Sequence, residues 1–161
     1  MTYKEFNKFF EVSGQHLLRK VARGTRGLLG ATVGYEVKGY LRFELNCKSY
    51  AVHNVIWMIY NQKDIPEGFV VDHEDGDSLN NYPNNLRLAS KFQNGYNSRL
   101  YTNNSSGYKG ESFDKETGKW LAQIREAGRN KKIGRFATAE LANEAVVRVR
   151  ANLHGAFAND G

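Results

Sequence analysis

The stretch VVDHEDGDSLNNYPNNLRLASKFQNGYN, residues 70–97, decides how the rest of the sequence is interpreted. It begins with the apolar pair Val70–Val71, which enters the charged run DHEDGD at residues 72–77. A loop rich in asparagine follows, and then the short apolar segment 86–88. Residues 89–100 can form a helix that Ser90 is placed to cap. The predicted order is therefore strand, loop, short strand and helix.

Acidic residues are concentrated around this charged run. Residues 64–77 hold six acids and no Lys or Arg, whereas the rest of the chain has 23 Lys and Arg against 11 Asp and Glu. The whole chain has a net charge of +6. A basic protein with one acidic cluster is typical of a polyanion binder that also holds a cation. A solvated acidic loop is the alternative interpretation.

Several protein classes are excluded by simple features of the sequence. No stretch reaches the roughly 18 consecutive apolar residues that a membrane span needs. The N-terminal residues lack the charged-then-apolar plan of a signal peptide. The single cysteine, Cys47, excludes an internal disulfide and a cysteine-rich zinc site. A soluble, cytoplasmic protein that makes no membrane contact is therefore expected.

A calcium loop of the DxDxDG type does not fit the charged run. With Gly76 at the sixth position, Val71 falls at the first ligand position and Tyr82 at the place of the bidentate glutamate. Phosphodiester hydrolysis fits better, because it needs a hard cation and a separate base for water. Asp72 with an amide oxygen suits the cation, His73 suits the water, and a side-chain amide is needed to fix the imidazole tautomer.

The motifs DH, GD, NNLR and N-x-x-N, at these spacings, resemble the HNH homing and nicking endonucleases, which have the ββα-metal fold. The resemblance covers roughly residues 14–100 and includes the segment GYLRFELNCKSYAVHNVIWMIYN at residues 39–61. In phage-encoded members of that family, a hairpin and a helix precede the motif. The resemblance implies a metal-dependent DNA endonuclease, in the host cytoplasm if it is phage-encoded.

The same resemblance implies roles for four residues. Asp72 corresponds to the first metal ligand, His73 to the general base, and Asn85 to the residue that orients the histidine and braces the two strands. Asn94 corresponds to the second metal ligand. Asparagine there, in place of the final histidine of the motif, favours Mg²⁺ or Mn²⁺ over Zn²⁺.

Alternatives remain open at several of these positions. Asn85 can instead cap a turn, and Asn97 competes with Asn94 for the ligand role. His53 precedes a predicted helix. A structural or cap-side role is favoured for His53 over a catalytic one. The cations that flank the site can grip DNA phosphates or be solvated charges; they are Arg87, Lys91 and Arg99.

Before the motif, the sequence predicts a short helix and a set of strands. Residues 3–12 have helical apolar spacing, 15–21 and 31–37 are predicted to be strands, and 40–45 with 49–52 form a hairpin. Asn54 is a candidate cap for the helix that follows.

The polar stretch 101–106 is predicted to be a linker, followed by three strands and a helix that Thr138 caps. Residues 106–157 resemble the plant ethylene-response-factor DNA-binding domain, in which a three-stranded sheet reads the major groove. The resemblance departs at Glu111, where an apolar residue is usual, and at Lys132, where an aromatic one is usual. The residues that correspond to DNA-facing positions are Lys109, Lys119, Gln123 and Arg125.

The prediction is an α+β protein with two domains. Residues 1–100 form the ββα-metal nuclease domain with its N-terminal β-extension, and residues 107–161 form a small three-stranded sheet with one helix. The partner is double-stranded DNA, bound by a monomer that nicks one strand. The competing hypothesis is a non-catalytic, sequence-specific DNA-binding transcription regulator.

Overall fold

The structure is a computed structural model that describes residues 1–22, 27–98, 104 and 106–160. Its contacts divide the chain into two compact units, Met1–Ala89 and Ser90–Gly161. No helix in the described ranges is long and apolar enough to cross a membrane.

The first unit begins with helix α1, Tyr3–Phe9, whose N-terminus Thr2 and Glu5 close with a capping box. Strands β1 (Phe10–Ser13) and β2 (His16–Arg19) pair as an antiparallel hairpin. Strands β3 (Tyr35–Val37), β4 (Tyr40–Leu45) and β5 (Lys48–Ala51) form an antiparallel sheet in the order β3-β4-β5. The predicted strand 31–37 is thus shorter than expected, since Thr32 makes only an isolated bridge to Leu18.

Helix α2, Val52–Asn61, follows the hairpin directly. It begins two residues before Asn54, which therefore lies inside the helix and does not cap it; Ala51 stands at the N-cap without a side-chain hydrogen bond. Packing explains this start, because Val52, Val55 and Ile56 are at most 1% exposed in the core. Burial of an apolar helix face stabilises a helix more than a cap does.

The core of the first unit gathers side chains from α1, the hairpins and α2. Phe6 and Phe10 contact Tyr50 and Phe43 edge to face. Val71 and Leu86 add the two strands of the sequence motif to this core. Those strands are β6 (Phe69–His73) and β7 (Leu86–Ser90), and they pair with each other; one turn of 3-10 helix, Pro83–Asn85, precedes β7.

The second unit opens with the short helix α3, Lys91–Tyr96. Ser90 caps it as predicted, through a capping box with Gln93. Strands β8 (Glu111–Asp114), β9 (Lys119–Glu126) and β10 (Arg129–Phe136) form an antiparallel sheet in which β9 is central. Helix α4, Ala139–His154, is capped by Thr138, and a 3-10 turn, Gly155–Phe157, ends it.

The core of this unit lies between β9 and α4. Ala122, Ala142 and Val146 are fully buried, with Trp120, Ile133 and Phe136 packed around them. The apolar face of β9 therefore packs against α4.

The division between the units differs from the predicted domain limit at residue 100. Helix α3 groups with the C-terminal unit because Tyr96 stacks on His154, with ring centroids 3.7 Å apart, and Asn159 Nδ2 donates to Asn97 O at 2.9 Å. In the predicted linker 101–106, residues 101–103 and 105 lie outside the described residues.

Candidate active site and DNA-binding residues

Asp72 and His73 are the last two residues of β6, and both are buried at 6% and 5% exposure. Arg87, on the paired strand β7, donates from Nε to Asp72 Oδ2 at 3.0 Å, and its Nη1 lies 3.5 Å from Glu74 Oε1. A buried carboxylate needs such a partner, since an unpaired charge is costly to bury. Arg87 therefore balances the acidic residues of the motif, and its predicted contact with a DNA phosphate stays a prediction.

The imidazole of His73 contacts Asn81, a residue of the asparagine-rich loop. His73 Nε2 and Asn81 Oδ1 lie 3.1 Å apart, and Asn81 is only 1% exposed. The Asn81 Nδ2 donates to Leu79 O at 3.2 Å, as does its backbone N–H at 3.0 Å. Asn81 is thus an amide that contacts the histidine, whereas the orienting role that the resemblance implies for Asn85 stays a prediction.

Asn85 instead holds the loop between the two strands. Its Nδ2 donates to Asp75 Oδ1 at 3.0 Å and to Asn80 O at 2.8 Å, and its Oδ1 accepts from Asp75 N at 3.2 Å. Its backbone carbonyl accepts from Glu74 N–H, directly after His73. Asn85 thus braces the ends of β6 and β7, which is the second part of the role implied by the resemblance.

Asp75 is the centre of the hydrogen bonds in this loop. Besides Asn85, it accepts from Asp77 N–H at 2.8 Å and from Asn80 Nδ2 at 2.6 Å. Burial raises the pKa of the Asp75 carboxyl, but these hydrogen bonds outweigh it and lower the pKa below its ordinary value. Gly76 adopts a positive φ of 70° in this turn, which glycine does without steric cost. Asp75 and Asp77 accordingly fix the loop.

His53, on α2, is a site residue for which the sequence favoured a purely structural role. Its ring meets the ring of His73 edge to face, with centroids 4.8 Å apart, and Tyr40 packs 5.6 Å from it. His53 is 9% exposed, and its Nδ1 is buried without a hydrogen-bond partner among the described residues. Burial, followed by the charges of His73 and Arg42, lowers the pKa of His53 to about 4, so its ring is neutral near pH 7.

The candidate ligands on α3 lie in the second unit. Asn94 is exposed, whereas Asn97 is buried at 6% and its amide oxygen accepts from Asn159 Nδ2 at 3.2 Å. Asn97 is thus hydrogen-bonded inside its own unit, and the choice of Asn94 as the ligand stays a prediction. Because Asp72 belongs to the first unit, the pairing of Asp72 with Asn94 stays a prediction.

The available donors fit a hard cation. Within the described ranges, no group of three or more His, Cys, Asp or Glu side chains is placed to hold a metal ion. Mg²⁺ does not need such a cage, because it keeps several waters and binds through one or two carboxylates together with substrate phosphates. One carboxylate and one amide oxygen match Mg²⁺ or Mn²⁺ and do not match Zn²⁺.

The cations of the second unit divide into two groups. Lys119, Gln123 and Arg125 lie on the face of β9 that points away from α4, and Lys132 pairs with Gln123 on the same face. Lys109 does not join them, because its ammonium donates to Tyr96 O, Ser98 O and Asn159 O. Lys109 thus ties the end of α3 to this unit. Arg99 lies outside the described residues.

Lys91 and Arg125 line one cavity of about 300 Å³ in the second unit, together with Phe92, Tyr96 and Gly128. Phe92 is 53% exposed, and the lining residues among the described part of the chain include no acidic side chain. The structure therefore brings together one predicted DNA-binding residue from α3 and one from β9.

Comparisons with known proteins agree with this site. Residues 50–96 match the HNH endonuclease family. The chain is 35% identical to Protein 3.8 of Escherichia phage T7 over 108 residues, which cover 66% of this chain and 86% of that protein. It is 38% identical over 63 residues to "SPbeta prophage-derived putative HNH homing endonuclease YosQ" of Bacillus subtilis (strain 168), covering 38% of this chain and 35% of that protein. No solved structure matches the chain significantly.

The matched family segment runs from the end of strand β5 to the end of helix α3 and contains Asp72, His73, Asn81 and Asn85. The match to Protein 3.8 extends over most of that protein's length. This chain belongs to the family of phage T7 Protein 3.8 and carries an HNH endonuclease domain.

Proposed function

We propose that this protein is a metal-dependent DNA endonuclease of the phage homing or nicking type. The observation that carries the proposal is the placement of His73 at the end of β6. There it is buried beside Asp72 and held by Asn81, inside the segment that matches the HNH endonuclease family. A positioned imidazole suits the removal of a proton from water.

In this proposal His73 is the general base, and Asp72 and Asn94 hold one divalent cation, Mg²⁺ or Mn²⁺. When bound, such a cation neutralises charge on the scissile phosphate and stabilises the leaving oxygen. His73 takes the proton of the attacking water, Asn85 braces the strands that carry it, and Arg87 pairs with Asp72. One such site on a monomer attacks one strand, so the expected product is nicked double-stranded DNA.

The second unit is proposed to bind the DNA backbone, in line with its resemblance to the ethylene-response-factor domain. Its support is the exposed face of β9 with Lys119, Gln123 and Arg125, and the cavity that Lys91 shares with Arg125. Lysine and arginine bind phosphates, and glutamine can also read adenine. Phe92 offers an exposed ring on which a base can stack.

A non-catalytic, sequence-specific DNA-binding regulator is the second candidate. The ion pair between Arg87 and Asp72 favours it, since a carboxylate neutralised within the protein can be purely structural.

Supercoiled plasmid separates the two candidates. With Mg²⁺ the nuclease proposal predicts open-circular product, and with EDTA it predicts none. Protein that binds the plasmid, as shown by retardation in a gel, but forms no relaxed or linear product with Mg²⁺ or Mn²⁺ is a regulator and not a nuclease.

A further inference from the structure

The cavity of the second unit is formed by helix α3 together with the end of strand β9 and the turn that follows it. Helix α3 supplies Lys91, Phe92 and Gly95, and the strand and turn supply Arg125 and Gly128. The volume of about 300 Å³ is at the lower end of the range found for small-molecule sites. The cavity therefore suits one small group, such as a nucleobase with its sugar.

Phe92 lies at this cavity with much of its ring open to solvent. Gly128 has a φ of 82°, and a Cβ added to it would lie 2.9 Å from Phe92 Cε1. One side of the phenyl ring thus packs directly against the glycine, while 53% of the residue stays exposed. The ring is therefore held in place and still offers apolar surface to a ligand.

Helix α3 is fastened to the β9–β10 turn around this cavity. Tyr96 Oη accepts from Ala127 N–H at 2.9 Å. The Tyr96 ring stacks on His154, with centroids 3.7 Å apart and planes 2° from parallel, and His154 Nε2 lies 2.9 Å from Arg125 O. The cavity is therefore already formed in the protein alone, which lowers the cost of ordering a ligand there.

Two cations at the cavity are available to a ligand. Lys91 and Arg125 are exposed, and neither forms an ion pair with another described residue. The acid next to Arg125 in the sequence, Glu126, is paired with Lys131 at 3.1 Å. Lysine and arginine bind phosphates, and an exposed aromatic ring stacks on a base. Phosphate and base together are the features of a nucleotide.

We infer that this cavity is a subsite for one unpaired nucleotide of DNA, whose base stacks on Phe92 and whose phosphates contact Lys91 and Arg125. In an intact duplex each base is stacked between its neighbours, so the ring of Phe92 can reach only a base that has left the stack. This inference rests on the DNA binding in the proposed function and adds to it a preference for DNA with a nucleotide outside the helix.

The test compares three labelled duplexes of one sequence by fluorescence anisotropy with the full chain, in EDTA so that no cleavage occurs. One duplex is fully matched, one carries a single-thymine bulge, and one carries an abasic bulge at the same place. The two bulged duplexes share a flexible joint and differ only in the base. The wild type should bind the thymine bulge at least about fivefold more tightly than the abasic bulge, the low end of the effect of base–aromatic stacking.

Variants separate the ring from the charge. Phe92→Leu is apolar but has no ring, and it should bring the affinities for the two bulges within about twofold of each other, whereas Phe92→Tyr should keep the wild-type ratio. Lys91→Gln should weaken binding of both bulges alike, because both retain the phosphates. Phe113→Leu, at a phenylalanine of β8 that is 50% exposed and does not line the cavity, is the matched control and should keep the ratio.

A cross-link gives a second readout. A 5-iodouracil at the bulged position should photocross-link to Phe92 of the wild type, as identified by mass spectrometry of the peptides. Cross-links confined to residues outside the cavity overturn the inference.

The affinities also decide between failure of the subsite and failure of the proposed function. Equal affinities of the wild type for the thymine and abasic bulges, or a ratio that survives in Phe92→Leu, overturn the subsite alone if the matched duplex is bound. A protein that binds none of the three duplexes contradicts the proposed function as well. A protein that prefers the thymine bulge but never nicks plasmid with Mg²⁺ contradicts the nuclease proposal and supports the subsite.

Discussion

At the residue scale, the neighbours of His73 set the conditions under which its imidazole can work. Asn81 supplies an acceptor, and His53 and Tyr40 supply ring contacts. The charged form of His53 is disfavoured, because the side chain is 9% exposed and lies next to a second histidine. His53 therefore makes the site sensitive to acid.

The lowered pKa of His53 gives a prediction for stability. Between its ordinary pKa of 6.5 and the folded value of about 4, the unfolded chain binds a proton that the folded chain does not. The contribution of neutral His53 to the free energy of unfolding is therefore fully present above pH 6.5. As the pH falls toward 4, the free energy of unfolding decreases by up to about 3 kcal/mol. His53→Phe, which cannot ionise, should remove this part of the loss.

The measurement is urea unfolding at pH 7 and pH 4.5, followed by the fluorescence of Trp57 in a Trp120→Phe background. Trp57 lies in the core of the first unit, so it reports on that unit alone. His16→Gln, at an exposed histidine on β2, should behave like the wild type. Equal losses in wild type and His53→Phe would mean that His53 does not cause the acid sensitivity.

The residues of the site were predictable from the sequence to different degrees. Asp72 and His73 are adjacent in a motif with fixed spacing, so sequence alone indicates them. Asn81 stands in a run with Asn80, Asn84 and Asn85, and nothing in that run shows which amide folds back to the imidazole. His53 is twenty residues from His73 in the sequence, and their rings come together because α2 packs against β6.

At the element scale, the loop between β6 and β7 acts as one hydrogen-bonded unit. Asn85 is hydrogen-bonded to Asp75 and Asn80, and Asp75 accepts from the backbone N–H of Asp77. Asp77 in turn accepts from the backbone N–H of Leu79. The Leu79 carbonyl accepts from Asn81, which contacts His73. Ser78 ties the loop to the β3–β4 turn by donating to Gly39 O at 2.6 Å. Asn85 therefore influences the histidine through the loop.

This connection predicts the effect of Asn85→Ala. Loss of its hydrogen bonds to Asp75 and Asn80 should destabilise the first unit by about 1–3 kcal/mol, because their partners are left unpaired. Cleavage should fall at least about tenfold, since Asn81 loses its support. Urea unfolding and plasmid cleavage measure the two effects. Asn84→Ala, the exposed neighbour, should change neither, and an equal effect of both variants would show that the loop does not depend on Asn85 in particular.

Elements with local signals were predictable, and those set by packing were less so. Ser90 and Thr138 cap their helices as predicted, because a cap depends on a few neighbouring residues. Helix α2 begins early because its first residue is buried. Glu111, where the resemblance expects an apolar side chain, is 9% exposed with both carboxylate oxygens unbonded among the described residues, and burial raises its pKa. The burial of the Glu111 carboxylate could not be predicted from composition.

At the scale of the whole molecule, the acidic cluster and the basic remainder have separate tasks. Asp64 accepts from Tyr3 N–H at 2.6 Å at the start of α1, Asp75 and Asp77 order the loop, and Arg87 pairs with Asp72 and Glu74. Most of the acidic cluster is therefore used within the first unit. The grouping of α3 with the second unit could not be predicted from the sequence, since it depends on contacts such as the Tyr96–His154 stack.

The basic face of β9 gives a prediction for binding. Lys119→Gln with Arg125→Gln should weaken DNA binding and reduce the salt dependence of its affinity, by about 0.9 in the slope of log K against log salt for each phosphate that the variant no longer binds. Titration of labelled duplex at several salt concentrations measures this slope. Lys4→Gln with Lys8→Gln removes the same charge from exposed positions on α1. Equal slopes for both double variants would argue against β9 as the DNA-binding face.

The central claim is that His73 is the base of a DNA nuclease, and His73→Ala tests it most directly. Nicking of supercoiled plasmid with Mg²⁺ and affinity for the same DNA are measured on one preparation, with His16→Ala as the matched control. General base catalysis contributes about 10²–10⁴ in rate, so the account predicts that nicking falls at least 100-fold while Kd changes less than about twofold. A His73→Ala protein that nicks as fast as His16→Ala would contradict it.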